Sequence, residues 1–299
     1  MYRTSVIVRH TFHEAVVQPI YSLLIGLGVA ILIIFGLLPF FTLGEDTVMF
    51  KAVGLDVILL LVLIATLFAT SKSIFDEIED RTMLTLMSKP VRKWEVLVGK
   101  YLGIVIAALV AVAILGTVLC LATYWRIPGD YMIRATSFDD RELRNLAEMR
   151  AMHIMGLIPS LLLVWLQVAV LAAIGVALST RFSLVVNLPV VIILYIAGNL
   201  TRFLFPLQEG ASPLYKAFAW AISTALPYLE TFDLRQRTVY SKIALAGTQF
   251  ANEKFGAVQL SQIWTYVGIA ALYAAVYAIF ALSAGMWIFQ NRELGGGEG

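Results

Sequence analysis

The chain has little charge, a single cysteine and no long polar stretch, and each shortage excludes a class of protein. Asp, Glu, Lys and Arg together make up 14% of the 299 residues, where a soluble domain carries about 25%. The lone cysteine, Cys120, sits inside an apolar run, which removes both a disulfide framework and a cysteine metal cluster; it reads as a small packing residue. The formal net charge of +2 gives no basic surface for a nucleic acid. No G-x-x-x-x-G-K-[ST] pattern occurs, so the chain has no phosphate loop of its own. No polar block is long enough to fold alone, so a single domain is expected over residues 1–299.

What the chain does have is apolar sequence: 60% hydrophobic residues and a mean hydropathy of +0.84. A membrane-spanning helix needs about 20 mostly apolar residues. Segments near 19–43, 55–71, 102–123, 156–178, 184–205 and 263–289 meet that need, the second being the shortest, with Asp56 at one end. The expected fold is an all-α integral membrane protein of six transmembrane helices. Tyr124-Trp125, Trp264-Tyr266 and Trp287 mark the interfacial belts. The first apolar run follows a mixed polar stretch and is expected to stay as an anchor. Residues 2–18 read as an amphipathic interfacial helix, with Ile7, Phe12, Val16 and Val17 toward lipid and Arg3, Arg9, His10 and Glu14 toward water. His10 and His13 lack a third ligand nearby and read as interfacial residues, so no metal site is expected.

Between the second and third apolar runs lies the dense segment SKSIFDEIEDRTMLTLMSKPVRKWEVLVGK, residues 71–100. As a helix over 74–87 it aligns Ile74, Ile78, Thr82 and Leu86 in one stripe, with Met83 and Met87 beside it. Asp76, Glu77, Glu79 and Asp80 fall on the other faces, and Glu77 and Arg81 are spaced to pair. Pro90 ends that helix because its ring cannot continue the hydrogen-bond ladder. Arg92-Lys93 follows, and Gly99-Lys100 opens the next span. Such a segment is firm, exposed and continuous with two spans, which is what a part receiving force from a docked protein requires.

The constellation resembles the segment between the second and third spans of ABC-2-type transporter permeases, the membrane subunits that an ATPase drives. The resemblance is local over about thirty residues and extends as topology over the whole chain. Within the family it leans toward small stand-alone permeases like those of multicopper-enzyme maturation and gliding-motility systems. It implies a type V exporter-like fold with a cytoplasmic coupling helix that sits in a cleft of the ATPase. Carried over residue by residue, the ATPase-coupling positions are Glu77, Glu79, Arg81, Thr82, Leu86, Pro90, Arg92, Gly99 and Lys100. The acidic residues would meet donors on the ATPase, and Arg92 and Lys93 would lie at headgroup level.

The resemblance also implies partners: a separate ABC ATPase, a second permease as homodimer or heterodimer, and membrane lipid. No cofactor is expected on this chain; ATP and magnesium would belong to the ATPase. The expected function is the permease subunit of an ABC exporter, not itself an enzyme. The alternative is a non-transporting anchor or mechanical scaffold for an ATPase complex. The expected location is the cell inner (cytoplasmic) membrane with both termini cytoplasmic. Raw charge does not separate the sides, with ten Lys/Arg against eight Asp/Glu on one and twelve of each on the other. The orientation rests on Lys72, Lys89, Arg92, Lys93, Lys100, Arg181 and Arg292, which lie in short loops or near span ends.

Outer regions are expected over 124–155 and 206–262, the first holding a short helix capped by Ser137 or Asp139. Within the second, 214–229 is interrupted by Lys216 and Pro227 and reads as an interfacial or re-entrant helix; 290–299 is a flexible tail. Polar residues within the spans are the candidates for a pathway: Thr66, Gln167, Asn187 and Asn199, with Arg202 near an outer end. Each has the competing role of a helix–helix hydrogen bond. No buried Asp/Glu/His relay is expected in the spans, which argues against proton coupling. No paired His, Asp or Ser-Lys set suggests an intramembrane enzyme, and no filter-like motif suggests a channel.

Overall fold

The computed structural model describes residues 2–38, 46–80, 92–130, 140–204, 226–240, 243–244 and 258–290. The elements are almost all helical. In chain order they are α1 (Tyr2–Val17), α2 (Pro19–Leu37), α3 (Asp46–Thr70), α4 (Lys93–Asp130), α5 (Asp140–Ser179), α6 (Leu184–Leu204) and α7 (Leu260–Gln290). Beyond Thr70, α3 runs on through a π turn, Ser71–Asp76, into a single α turn, Glu77–Glu79. A 3₁₀ turn (Leu229–Phe232), a short helical turn (Arg235–Thr238) and a parallel two-residue pairing of Ile243–Ala244 with Val258–Gln259 lie between α6 and α7. Five helices are long and apolar enough to cross a membrane, and Leu184–Leu200 is a shorter apolar helix. The protein is an all-α, multi-pass membrane protein.

The spans are longer than their apolar cores suggest. The second expected span, 55–71, begins instead at Asp46, because Lys51 and Asp56 find partners inside the bundle and need not stay in water. The short outer helix expected near 140 is the start of α5, continuous with the fourth span. The re-entrant helix expected at 214–229 lies mostly outside the described residues, which resume at 226.

Lipid tails are as apolar as leucine, so helices in a bilayer associate through close packing and hydrogen bonds rather than hydrophobic exclusion. Both are present. Gly285 of α7 meets Ala177 of α5 so closely that a Cβ would stand 2.7 Å from the alanine backbone. Aromatic donors tie neighbours together: Tyr21 Oη donates to the carbonyl of Ala107 at 2.8 Å, and Trp165 Nε1 donates to that of Val105 at 3.0 Å.

The helices alternate, so the bundle has two ends. One holds Glu77, the start of α4 and the end of α7; Lys93 Nζ donates to the Phe289 carbonyl there at 3.3 Å. A cation at a helix C-terminus satisfies free carbonyls and complements the helix dipole, so Lys93 does more than sit among headgroups. The other end holds Arg126, whose Nη1 donates to the carbonyls of Phe35, Gly36 and Leu38 at the end of α2. Arg126 also lies 3.6 Å from the Asp46 carboxylate and over the Phe50 ring.

α1 packs along the first turns of α4. Ile7 is half-buried against Gly99 rather than turned to lipid, and at Gly103 the carbonyl of Val8 stands 2.8 Å from where a Cβ would be. Val17, by contrast, is exposed. The apolar stripe of α1 is therefore shared between a helix contact and the membrane.

Gly103→Leu is expected to push α1 off α4, at a cost of roughly 1–3 kcal/mol for overpacking. It should lower the unfolding temperature of the detergent-solubilised chain. Gly26→Leu, at a position with nothing within 4 Å, should leave it unchanged.

Candidate functional sites

At the Glu77 end, the π turn shifts the register of the helix after Thr70 and aims the Ser73 carbonyl at α4. Lys100, only 3% exposed, fills that spot. Its ammonium donates to the Ser73 carbonyl, to Ser73 Oγ at 3.1 Å and to Glu77 Oε2 at 2.7 Å. Three donors meet three acceptors, which is what a buried ammonium requires. Glu77 thus pairs with Lys100 inside the chain. The expected partner Arg81 lies outside the described residues, as do Thr82, Leu86 and Pro90.

The start of α4 is closed locally: the Arg92 N–H donates to Glu95 Oε2 at 2.9 Å, one of the bonds of a capping box. Among the expected coupling residues, the structure pairs Glu77 with Lys100, while Gly99 packs against Ile7 of α1. Glu79 and Arg92 are exposed, and so are Lys72, Asp76 and Asp80 around the same turn. The face left open to a partner is therefore Glu79 with Asp76 and Asp80, while Glu77 is turned inward. His10 and His13 are exposed, and no metal-binding group of His, Cys, Asp and Glu occurs among the described residues.

Toward the Arg126 end, residues 226–240 fold back into the bundle. Arg235 grips Asp56 with both guanidinium nitrogens, Nη1 to Oδ2 at 2.9 Å and Nη2 to Oδ1 at 2.6 Å. Asp56 lies ten residues into α3, about 15 Å along its axis, so the segment reaches well below the helix ends. Burial alone would lower the Arg235 guanidinium; the hydrogen bonds and charge of Asp56, with help from Asp233, outweigh it and hold it above its ordinary value. Thr238 Oγ1 accepts from Ser160 Oγ at 2.7 Å, and the Thr238 backbone lies against Gly156, where any side chain would collide. Tyr266 Oη donates to the Thr231 carbonyl at 2.9 Å, and the Tyr228 N–H donates to Tyr273 Oη at 2.8 Å.

Above this clamp Lys51, 1% exposed, donates to His153 Nδ1 at 2.9 Å and to the Val239 carbonyl at 3.3 Å. Both residues lie just outside the spans expected at 55–71 and 156–178, so they form no Asp/Glu/His relay within those bounds. The helices α3 and α5 extend past 55 and 156, where continuous apolar sequence stops, and Lys51 and His153 bury each other in those extensions.

Under the clamp lies a cavity of about 240 Å³, lined by Asp56, Ser160, Gln167, Tyr195, Asn199 and Arg235 among others. It gathers Gln167 and Asn199 from the expected pathway residues. Thr66 and Asn187 are elsewhere. Thr66 Oγ1 bonds to the Val62 carbonyl of its own helix at 2.6 Å. Asn187 Nδ2 joins α6 to α5 through the Gly175 carbonyl at 3.1 Å and Ser179 Oγ at 2.7 Å. Of Arg202 only the helical backbone is described. A second, larger opening of about 610 Å³ lies between α4, α5 and α7; it is apolar and lined by Tyr101, Trp165, Ala274, Ala278 and Met286 among others.

Sequence reasoning missed Lys51, His153 and Arg235 as site residues. The available signal was Asp56 at the edge of a span, a carboxylate that needs a cation, and the cation that meets it, Arg235, comes from 179 residues further along the chain.

The profile of a family described as ABC-2 family transporter protein matches residues 15–294. No curated protein matches the chain.

Lys100→Met should strand Glu77 and two Ser73 oxygens, with a loss on the order of 3 kcal/mol. Adding Glu77→Gln should recover part of that loss. Thermal unfolding of the single and double variants in detergent checks both.

Proposed function

Because the chain belongs to the ABC-2 transporter family, we propose that it is the permease half of an exporter, with its Glu77 end in the cytoplasm receiving a separate ATPase. Membership makes it a membrane permease component of an ABC transporter rather than the ATPase, and the missing phosphate loop agrees. The observation that carries the docking assignment is the build of the Glu77 end. Ser73, Glu77 and Lys100 lock the α3 extension to α4, and Lys93 locks α4 to the last carbonyls of α7. Glu79, Asp76 and Asp80 remain on the outside of that locked piece. A push delivered there is passed to three helices at once.

In this reading Arg81, Thr82, Leu86, Pro90 and Arg92 complete the coupling segment. ATP and magnesium reside on the ATPase. Both termini share the cytoplasmic side of the inner membrane. A second permease, identical or related, completes the transporter; the uncovered apolar faces of α2 and α7, with Ile33, Ile34, Leu272, Val276 and Phe280 exposed, suit such a neighbour or lipid. Gln167 and Asn199, at the polar cavity, are retained as pathway residues. That cavity favours transport over a purely mechanical anchor, which needs no polar chamber.

Glu79→Lys reverses charge on the exposed face without touching the Lys100 pair, so it is a cleaner test than a change at Glu77. The variant should stay folded but lose most co-purifying ATP hydrolysis in pull-downs from gently solubilised membranes. Undiminished ATPase recovery with Glu79→Lys and Asp80→Lys combined would remove the docking assignment.

A further inference from the structure

Toward the Arg126 end, an apolar groove of about 370 Å³ runs between α4 and α5. Its walls include Ala113, Thr117, Cys120 and Tyr124 from α4 and Ile154 and Leu161 from α5. Thr117 spends its hydroxyl on the Ala113 carbonyl of its own helix at 2.7 Å. Arg150 stands one helical turn before Ile154. Its guanidinium lies 3.9 Å from the centroid of the Tyr124 ring, and Nη1 donates to Tyr124 Oη at 3.1 Å. The groove therefore ends at a cation.

That cation is under-used. Its Nε is enclosed without a partner, and Nη2 has no bond to any described residue. Among the described residues no carboxylate pairs with it. A guanidinium held by a neutral ring and a hydroxyl keeps its full charge, and most of its five donors, for something else.

The depth of the groove matches one leaflet. The apolar spans of α4 and α5 are Lys93–Ile127 and Leu146–Ser179. With each span centred on the bilayer, Tyr124 and Arg150 stand about 20 Å from the midplane. That is inside the headgroup layer, which lies between about 15 and 22 Å. Ala113 and Leu161 stand within about 5 Å of the midplane. At about 30 Å³ for each water-sized or methylene-sized group, the groove holds about a dozen, most of one acyl chain.

We infer that this groove holds one anionic phospholipid of the leaflet at the Arg126 end. Its phosphate accepts charge-assisted bonds from the Arg150 guanidinium, and one acyl chain lies along Thr117, Cys120 and Ile154 toward the midplane. The uncompensated charge selects the headgroup: a zwitterionic lipid brings an ammonium of its own beside the guanidinium, and an anionic one does not. The site stands apart from the docking assignment, because it uses no residue of the Glu77 end.

The test is native mass spectrometry of the full chain, released from detergent micelles carrying equal phosphatidylglycerol and phosphatidylcholine with the same acyl chains. One phosphatidylglycerol per chain should stay bound, favoured about tenfold over phosphatidylcholine, the worth of one charge-assisted hydrogen bond. Arg150→Met should remove that preference. Thr117→Phe, at an exposed wall position, should block the acyl chain and lower retention while leaving Arg150 in place; it decides the matter if Arg150→Met fails to fold. Excess glycerol phosphate, the headgroup without its chains, should displace nothing. Equal retention of the two lipids, displacement by glycerol phosphate, or undiminished phosphatidylglycerol retention by either folded variant overturns the inference.

Discussion

Lys51 places an ammonium where no water reaches it, and the architecture of one end of the bundle follows from satisfying it. An ammonium only donates, so His153 must present Nδ1 as an acceptor and carry its own proton on Nε2. A second bond goes to the Val239 carbonyl. That single contact set fixes α3 against α5 and draws the 226–240 segment between them. The Asp56–Arg235 clamp and the Ser160–Thr238 bond then set the depth of that segment. Glycine at 156 is required because the Thr238 backbone occupies the space of a side chain.

The two ends of the molecule solve the same problem in different ways. At the Glu77 end, a buried lysine is answered by residues on the immediately preceding helix extension, through a π turn that presents a backbone carbonyl. π turns often mark functional sites because they break the regular helix register. At the Arg126 end, the buried Lys51 and the part-buried Arg235 are answered by residues remote in sequence, and the cavity under the Arg235 clamp is polar. One end is a solid block suited to receiving force, and the other a chamber whose wall is a separate strip of chain.

Much of the helical framework was legible in the sequence because apolar runs have one physical meaning at that length. All the apolar cores at 19–43, 55–71, 102–123, 156–178, 184–205 and 263–289 fall largely within helices. The role of Lys100 at the mouth of α4 was legible as a position but not as a contact, since nothing in the pattern distinguishes Glu77 paired to Arg81 from Glu77 paired to Lys100. The polar chamber was half legible: Gln167 and Asn199 stood out as polar residues in apolar surroundings, whereas Arg235 sits in an unremarkable polar stretch, RQRT. Its pairing with Asp56 spans 179 residues, and no local periodicity records a bond of that range.

That range has a consequence for how the chain is made. α3 emerges from the ribosome with Lys51 and Asp56 already in it, 102 residues before His153 exists and 179 before Arg235 does. For that interval both groups sit in or beside the insertion channel without their partners, each adding about 2.5–3.5 kcal/mol against insertion if placed at mid-membrane. The rest of α3, Ile58 through Leu67 above all, supplies the apolar drive that holds the helix in place until the later segments arrive. The segments that carry His153 and Arg235 then complete a helix inserted before either was made.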